Sequence, residues 1–144
     1  MSEVLARAAC RAEGTARTYE EAIREAGALL VEGGAVEPAY VEAMLERERT
    51  MTTFMGNGLA IPHGTLDATD QIRRSAISVV RYAEPLDWKG SPVRVVVGIA
   101  GVDGQHLEVL SRIALVFADT EQAQRVADAG TTDELYDLLA GVNA

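Results

Sequence analysis

The sequence predicts an α/β layered domain, and three observations carry that expectation. Apolar residues recur at helical spacing after residue 18 and again in the last third, runs of β-branched residues fill the middle, and capping and turn residues mark each change of period. No repeat, low-complexity tract or linker divides the chain, so residues 1–144 are expected to form one domain.

The first 17 residues are rich in Ala and Arg and weakly patterned. Thr18-Tyr19-Glu20-Glu21 then offers a capping box, Ala22, Ile23, Ala26, Leu29 and Leu30 follow at helical spacing, and Gly33-Gly34 ends the run. A second helix is expected from Pro38, well suited to a first helical position, with Tyr40, Val41, Met44 and Leu45 as its apolar stripe and the charged string Glu46 to Arg49 at its end. Leu59-Ala60-Ile61 reads as a short strand stopped by Pro62, and Ala76 to Tyr82 as a longer one. Val93 to Ala100 reads as a strand buried on both faces. Glu84 to Gly90 reads as a turn-rich connection between the last two. In the last third, Leu107, Leu110, Ile113, Ala114 and Phe117 mark a helix from about Gln105 to Ala118. Thr120 is placed to cap a shorter one, and Thr131 to Glu134 offers a second capping box ahead of Leu135, Leu138 and Leu139.

Composition removes several classes of function. A formal net charge of −9 argues against nucleic acid, whose binders present a basic surface, and suits partners that are neutral or basic. No apolar run approaches the roughly 20 residues that a transmembrane helix needs, so no insertion into a membrane is expected. The N-terminus lacks the basic start and apolar stretch of a secretory signal. Cys10 is the only cysteine, which rules out an intrachain disulfide or a cysteine-based metal cluster and fits a reducing cytoplasm.

Only two histidines occur. His63 stands where a short strand reaches a turn, in Leu59-Ala60-Ile61-Pro62-His63-Gly64-Thr65. Pro62 fixes one backbone angle, Gly64 admits close approach of a ligand or partner, and Thr65 adds a hydroxyl. Such a histidine suits a nucleophile, because imidazole is largely unprotonated near neutral pH, although an ordinary loop histidine would leave the same local pattern. His106 stands at a strand-to-helix junction, where it could donate a hydrogen bond to an anion or simply face solvent. The two histidines with Asp67 or Asp103 would make only a sparse zinc set. Gly56-Asn57-Gly58 lacks the lysine-bearing pattern of a P-loop, and no G-x-S-x-G motif appears.

Three segments together resemble enzyme IIA of the mannitol and fructose class of sugar phosphotransferase systems, the mannitol type most closely. Gly33 to Glu48 (GGAVEPAYVEAMLERE) resembles the segment before that family's active-site loop, Leu59 to Thr65 its phosphorylation loop, and Val97 to Ala100 followed by Gln105-His106-Leu107 its second-histidine segment. The likeness runs from about Thr18 to Leu139. It implies a mixed β-sheet flanked by helices on both faces, of the phosphotransferase/anion transport protein-like kind. It implies a phosphocarrier that needs no metal or other cofactor. His63 would be the phosphorylated nucleophile, Arg47 would steady the phosphoryl group, and His106 would be the second active-site histidine. Gly64 and Thr65 would support the phosphoryl group, and an apolar patch of Met55, Leu59 and Ile61 would receive partners. Without that register, Arg47 would read as an exposed helix charge paired with its neighbours. The implied donor is the phosphorylated histidine carrier protein HPr, and the implied acceptor a cysteine of the enzyme IIB domain of a mannitol permease. Asn57 and Gly58 depart from the mannitol pattern, and Leu107 to Arg112 and Asp133 to Tyr136 also resemble the fructose and nitrogen-regulatory relatives. The alternative is therefore a nitrogen-regulatory type acting as a phosphorylation-dependent binding module, or a fructose-class transport component.

Overall fold

The computed structural model describes residues 4–102 and 105–143. Five strands form one mixed sheet: β1 (Leu5–Arg11), β2 (Phe54–Gly56), β3 (Leu59–Ala60), β4 (Ala76–Trp88) and β5 (Ser91–Ala100), in the spatial order β1-β4-β5-β3-β2. β4 and β5 are antiparallel, whereas β1 on β4 and β3 on β5 are parallel. Helices α1 (Tyr19–Glu32) and α2 (Ala39–Thr50) cover one face, and α3 (Gln105–Ala118), α4 (Thr120–Ala127) and α5 (Thr132–Leu139) cover the other.

The two-residue period of β4 builds both cores at once. Ala76, Val80 and Tyr82 point towards α1 and α2, while Ile77 and Val79 point towards α3 to α5. β5 repeats this with Val96 and Ala100 on one face and Val95, Val97 and Ile99 on the other, which is why its sequence is nearly all apolar. Two polar side chains in β4 are satisfied inside these layers. Ser78 donates to Ala26 O of α1 at 2.7 Å, and Arg81 donates to Ala127 O at 2.6 Å and Ala12 O at 2.9 Å, so it closes the C-terminal end of α4.

Both capping boxes form, in one variant. Thr18 Oγ1 accepts from Glu21 N, and the Glu21 carboxylate accepts from Arg17 N, one residue before the cap. Thr131, Glu134 and Gly130 repeat this arrangement at α5.

Several expectations are corrected. The weakly patterned N-terminus contains β1, whose Leu5 and Cys10 are buried. Glu84 to Trp88 is strand: β4 runs on to Trp88, and the turn shrinks to Lys89-Gly90, both with positive φ, as a two-residue hairpin with right-handed strand twist requires. Pro85 is tolerated because the register is irregular between Arg81 and Leu86, so no ladder bond is lost there. α4 is capped by Asp119, whose carboxylate accepts from Glu121 N and Gln122 N, and Thr120 is already helical. The buried stripe of α3 is Val109, Ile113 and Phe117. Leu107 and Ala114 lie outside it, Leu107 with 63% exposure.

Candidate functional site

β3 and β5 are neighbouring parallel strands, so their C-terminal ends lie together at one edge of the sheet, the usual place for a site in an open α/β sheet. His63 follows β3 there and pairs with Ile99 as an isolated parallel bridge. The bridge is held by Ile99 N donating to Pro62 O at 3.0 Å. His63 is half-buried, and its Nδ1 lies 2.9 Å from Ile61 O. A carbonyl oxygen can only accept, so Nδ1 carries the proton and Nε2 the lone pair of the neutral ring. The turn thus fixes both the direction and the tautomer of the imidazole.

α2 supplies the facing wall. Tyr40 and Arg47 lie seven residues apart, two helical turns, and therefore on one face. Both line a cleft of about 370 Å³ together with His63, Gly64, Thr65, Asp67 and Thr50. Arg47 donates to Met51 O at 2.7 Å, and no carboxylate pairs with it among the described residues. The neighbour pairing considered from sequence is therefore absent there, and the planar guanidinium borders a cleft in which it can meet a tetrahedral anion in a forked geometry.

Glu48, next to Arg47, turns the other way and is 1% exposed. Its carboxylate accepts from Thr53 N at 3.1 Å, Thr53 Oγ1 and Trp88 Nε1 at 3.0 Å, with Lys89 Nζ at 3.4 Å. It fastens the end of α2 to the β4–β5 hairpin, and sequence inspection passed over it as one more charge in an exposed string.

Tyr40 was also missed, read only as part of an apolar stripe. It is 2% exposed, and its hydroxyl accepts from Gly64 N at 2.8 Å and donates to Ile99 O at 2.9 Å. Burial pushes the phenol above its usual range, against a smaller downward effect of the Gly64 amide, so the hydroxyl stays protonated and able to donate. No sequence signal announces this role, because an aromatic at a core position reads as packing.

The remaining expected site residues fare differently. Gly64 admits close approach, but what approaches is Tyr40: a Cβ at this position would stand 2.4 Å from Tyr40 Cε1. Its N–H is already engaged by the Tyr40 hydroxyl, so Gly64 serves by its lack of a side chain and is not a donor to a bound group. Thr65 lines the cleft. Met55, on edge strand β2, is 54% exposed and Met51 is 65% exposed, as suits a contact surface. Leu59 and Ile61 are 1% and 5% exposed and pack into the core beneath α3 to α5, so of the expected apolar patch only Met55 is open to contact. His106 lies in the first turn of α3, and its side chain, like Asp103, falls outside the described residues.

A histidine whose Nδ1 is held by a main-chain carbonyl, beside a cleft lined by Arg47, Thr65 and Asp67 at the C-terminal ends of parallel strands, is an arrangement suited to a nucleophilic imidazole. The family model described as "Phosphoenolpyruvate-dependent sugar phosphotransferase system, EIIA 2" matches residues 4–142, and the chain belongs to this family of phosphotransferase components. The match takes in the N-terminal strand that sequence inspection placed outside the likeness. The chain is 45% identical over 140 residues to the mannitol-specific phosphotransferase enzyme IIA component of Halalkalibacterium halodurans, covering 97% of each chain. It superposes with a TM-score of 0.86 at 36% identity on a chain from the solution structure of the complex of enzyme IIAMTL and phosphorylated enzyme IIBMTL of Escherichia coli, covering 94% of this chain and 96% of that one. With the nitrogen regulatory protein IIA-Ntr of Neisseria meningitidis the TM-score is 0.80 at 25% identity, covering 94% and 96%.

Proposed function

We propose that this chain relays a phosphoryl group on Nε2 of His63 during uptake of a sugar alcohol, mannitol. The donor is the phosphorylated histidine carrier protein HPr, the acceptor a cysteine of an enzyme IIB domain, and the setting the cytoplasm. One observation carries the reading of the site: the Nδ1–Ile61 O contact leaves the lone pair on Nε2, in a cleft shared with Arg47. The choice of mannitol uptake over nitrogen regulation rests on 45% identity to a mannitol-specific component against 25% to a nitrogen regulatory one.

The step balances without another reactant. The Nε2 lone pair forms a bond to the phosphorus as the donor's own N–P bond breaks, and that electron pair stays on the donor imidazole. The His63 ring keeps its Nδ1 proton and becomes cationic, so its hydrogen bond to Ile61 O gains charge assistance as the new bond forms. Arg47 meets the equatorial oxygens, where charge is spread in the transition state, with the Thr65 hydroxyl and His106 as further donors. In the second half the N–P bond of His63 breaks towards an attacking thiolate, and the ring returns to neutral. Met51 and Met55 offer flexible apolar contact to each partner in turn.

The test is to incubate the protein with phosphoenolpyruvate, enzyme I and HPr, map the modified residue, and then add candidate enzyme IIB domains. An acid-labile label on His63 that passes to a mannitol IIB is the expected result. A His63→Ala protein that still accepts the label, or a label that passes only to other IIB domains, would sink the site or the sugar assignment respectively.

A further inference from the structure

The parallel bridge between His63 and Ile99 has a side chain bound to it. In a parallel ladder, a bridge made by Ile99 N and Pro62 O is completed by a bond from the next residue, here Gly64 N–H to Ile99 O. The first bond is present at 3.0 Å. The Tyr40 hydroxyl spans the same two groups as the second, accepting from Gly64 N at 2.8 Å and donating to Ile99 O at 2.9 Å. The Tyr40 ring lies against the Gly64 Cα, so close that the position admits no side chain. The phenol that joins the two segments one residue after His63 thus belongs to the helix that also carries Arg47.

We propose that Tyr40 is a positioning residue for phosphoryl transfer: its hydroxyl, bonded to both Gly64 N and Ile99 O at the His63–Ile99 bridge, sets the path of the His63–Gly64 turn and docks α2 so that Arg47 and His63 face one cleft. This role presupposes His63 as the phosphoryl acceptor. It needs both properties of a phenol. The ring alone would fill the space, but only the hydroxyl gives the Gly64 amide an acceptor and the Ile99 carbonyl a donor at once. Without it, the Gly64 amide and the Ile99 carbonyl lose their shared partner, and the turn and α2 lose the tie that holds the imidazole relative to the guanidinium. In-line transfer is sensitive to such a shift, because displacements of the order of an ångström lower rates by about ten- to a hundred-fold.

The decisive variant is Tyr40→Phe, assayed for phosphoryl uptake from phosphorylated HPr over a range of donor concentrations. The expected result is a kcat lower by roughly ten-fold with KM for the donor little changed, and displaced Gly64 and His63 backbone amide resonances while those of α4 and α5 stay in place. A wild-type kcat, or a loss confined to KM, would overturn the proposal. If Tyr40→Phe does not fold, Gly64→Ala decides, since its Cβ drives the ring out while keeping the phenol; an unchanged kcat there would equally overturn it. His63→Ala runs alongside. Label accepted by His63→Ala refutes the site itself, whereas label confined to His63 with Tyr40→Phe at full kcat refutes only the positioning role.

Discussion

Replacing Glu48 tests how the end of α2 is held. Its carboxylate is enclosed and receives bonds from Thr53 N, Thr53 Oγ1, Trp88 Nε1 and Lys89 Nζ. In Glu48→Ala the Thr53 amide and the Trp88 indole N–H are left buried without acceptors, while half-exposed Lys89 can turn to water. Two orphaned donors at about 1–3 kcal/mol each agree with the roughly 3–5 kcal/mol expected for breaking a buried ion pair from one side. For a chain of this length that is a fall in Tm of about 10 °C or more. Glu48→Gln should cost far less. Its amide nitrogen can face Thr53 Oγ1, which rotates to accept, while its oxygen, in the place of Oε2, keeps Thr53 N, Trp88 Nε1 and Lys89 Nζ. The loss is then mainly charge assistance, about 1–2 kcal/mol. Urea unfolding of both variants at neutral pH, followed by tryptophan fluorescence, measures the difference, because Trp88 is the sole tryptophan and lies in the network. Equal losses for Ala and Gln would refute the reasoning, since they would assign the stability to the charge and not to the satisfied donors.

Arg47→Lys keeps the cation but loses the forked donor geometry; phosphoryl transfer is expected to slow by about ten-fold with Tm almost unchanged, and an undiminished rate in rapid-quench assays would reduce Arg47 to a surface charge. Glu25 sets an acid limit on stability. Burial pushes its carboxyl up, but hydrogen bonds from Tyr82, Arg11 and the Thr15 and Ala16 amides outweigh this and hold it below its ordinary value of 4.5. A depressed folded-state pKa gives stability that is fully present above that value and is lost as pH falls through the folded pKa, so Glu25→Gln should flatten the acid limb of a plot of urea midpoint against pH. The buried Cys10 thiol is pushed up to about 11, mainly by desolvation, with Arg7 opposing. At pH 8 it should resist a disulfide reagent in the native protein and react in guanidinium; fast native labelling would show that β1 opens.

The helices were legible because local chemistry announces them. Thr18 with Glu21 and Thr131 with Glu134 cap α1 and α5 as their spacing indicates. Strand β5 was legible because burial on both faces writes an unbroken apolar run. Strand β1 was not: LARAACR has no β-branched residue, and it becomes a strand by parallel pairing with β4, a contact more than sixty residues away. The continuation of β4 through Glu84 and Pro85 was hidden because turn-forming residues there fall in an irregular stretch of the ladder, where their propensities cost little. In the site, the Pro-His-Gly loop was visible as a motif. The partition of its neighbours was not, because Leu59 and Ile61 alternate inward by strand period while Met55 lies on a different, edge strand. The roles of Tyr40 and Glu48 depend on atoms brought together from distant segments, which a local pattern cannot encode.

The group that orients the histidine is a main-chain carbonyl, Ile61 O, and this bears on how the site tolerates genetic change. A carboxylate in that position could be deleted by a single codon. A peptide oxygen cannot, since any amino acid at position 61 supplies one. The device is therefore robust to drift in side-chain identity, and its weak points are residues that shape the chain's path without touching a reacting atom: Pro62, the side-chain-free Gly64 and the phenol of Tyr40. Deleterious variants around this turn should concentrate at Pro62 and Gly64 within it and at Tyr40 of α2 against it, while position 61 should accept any apolar residue that fills the same space.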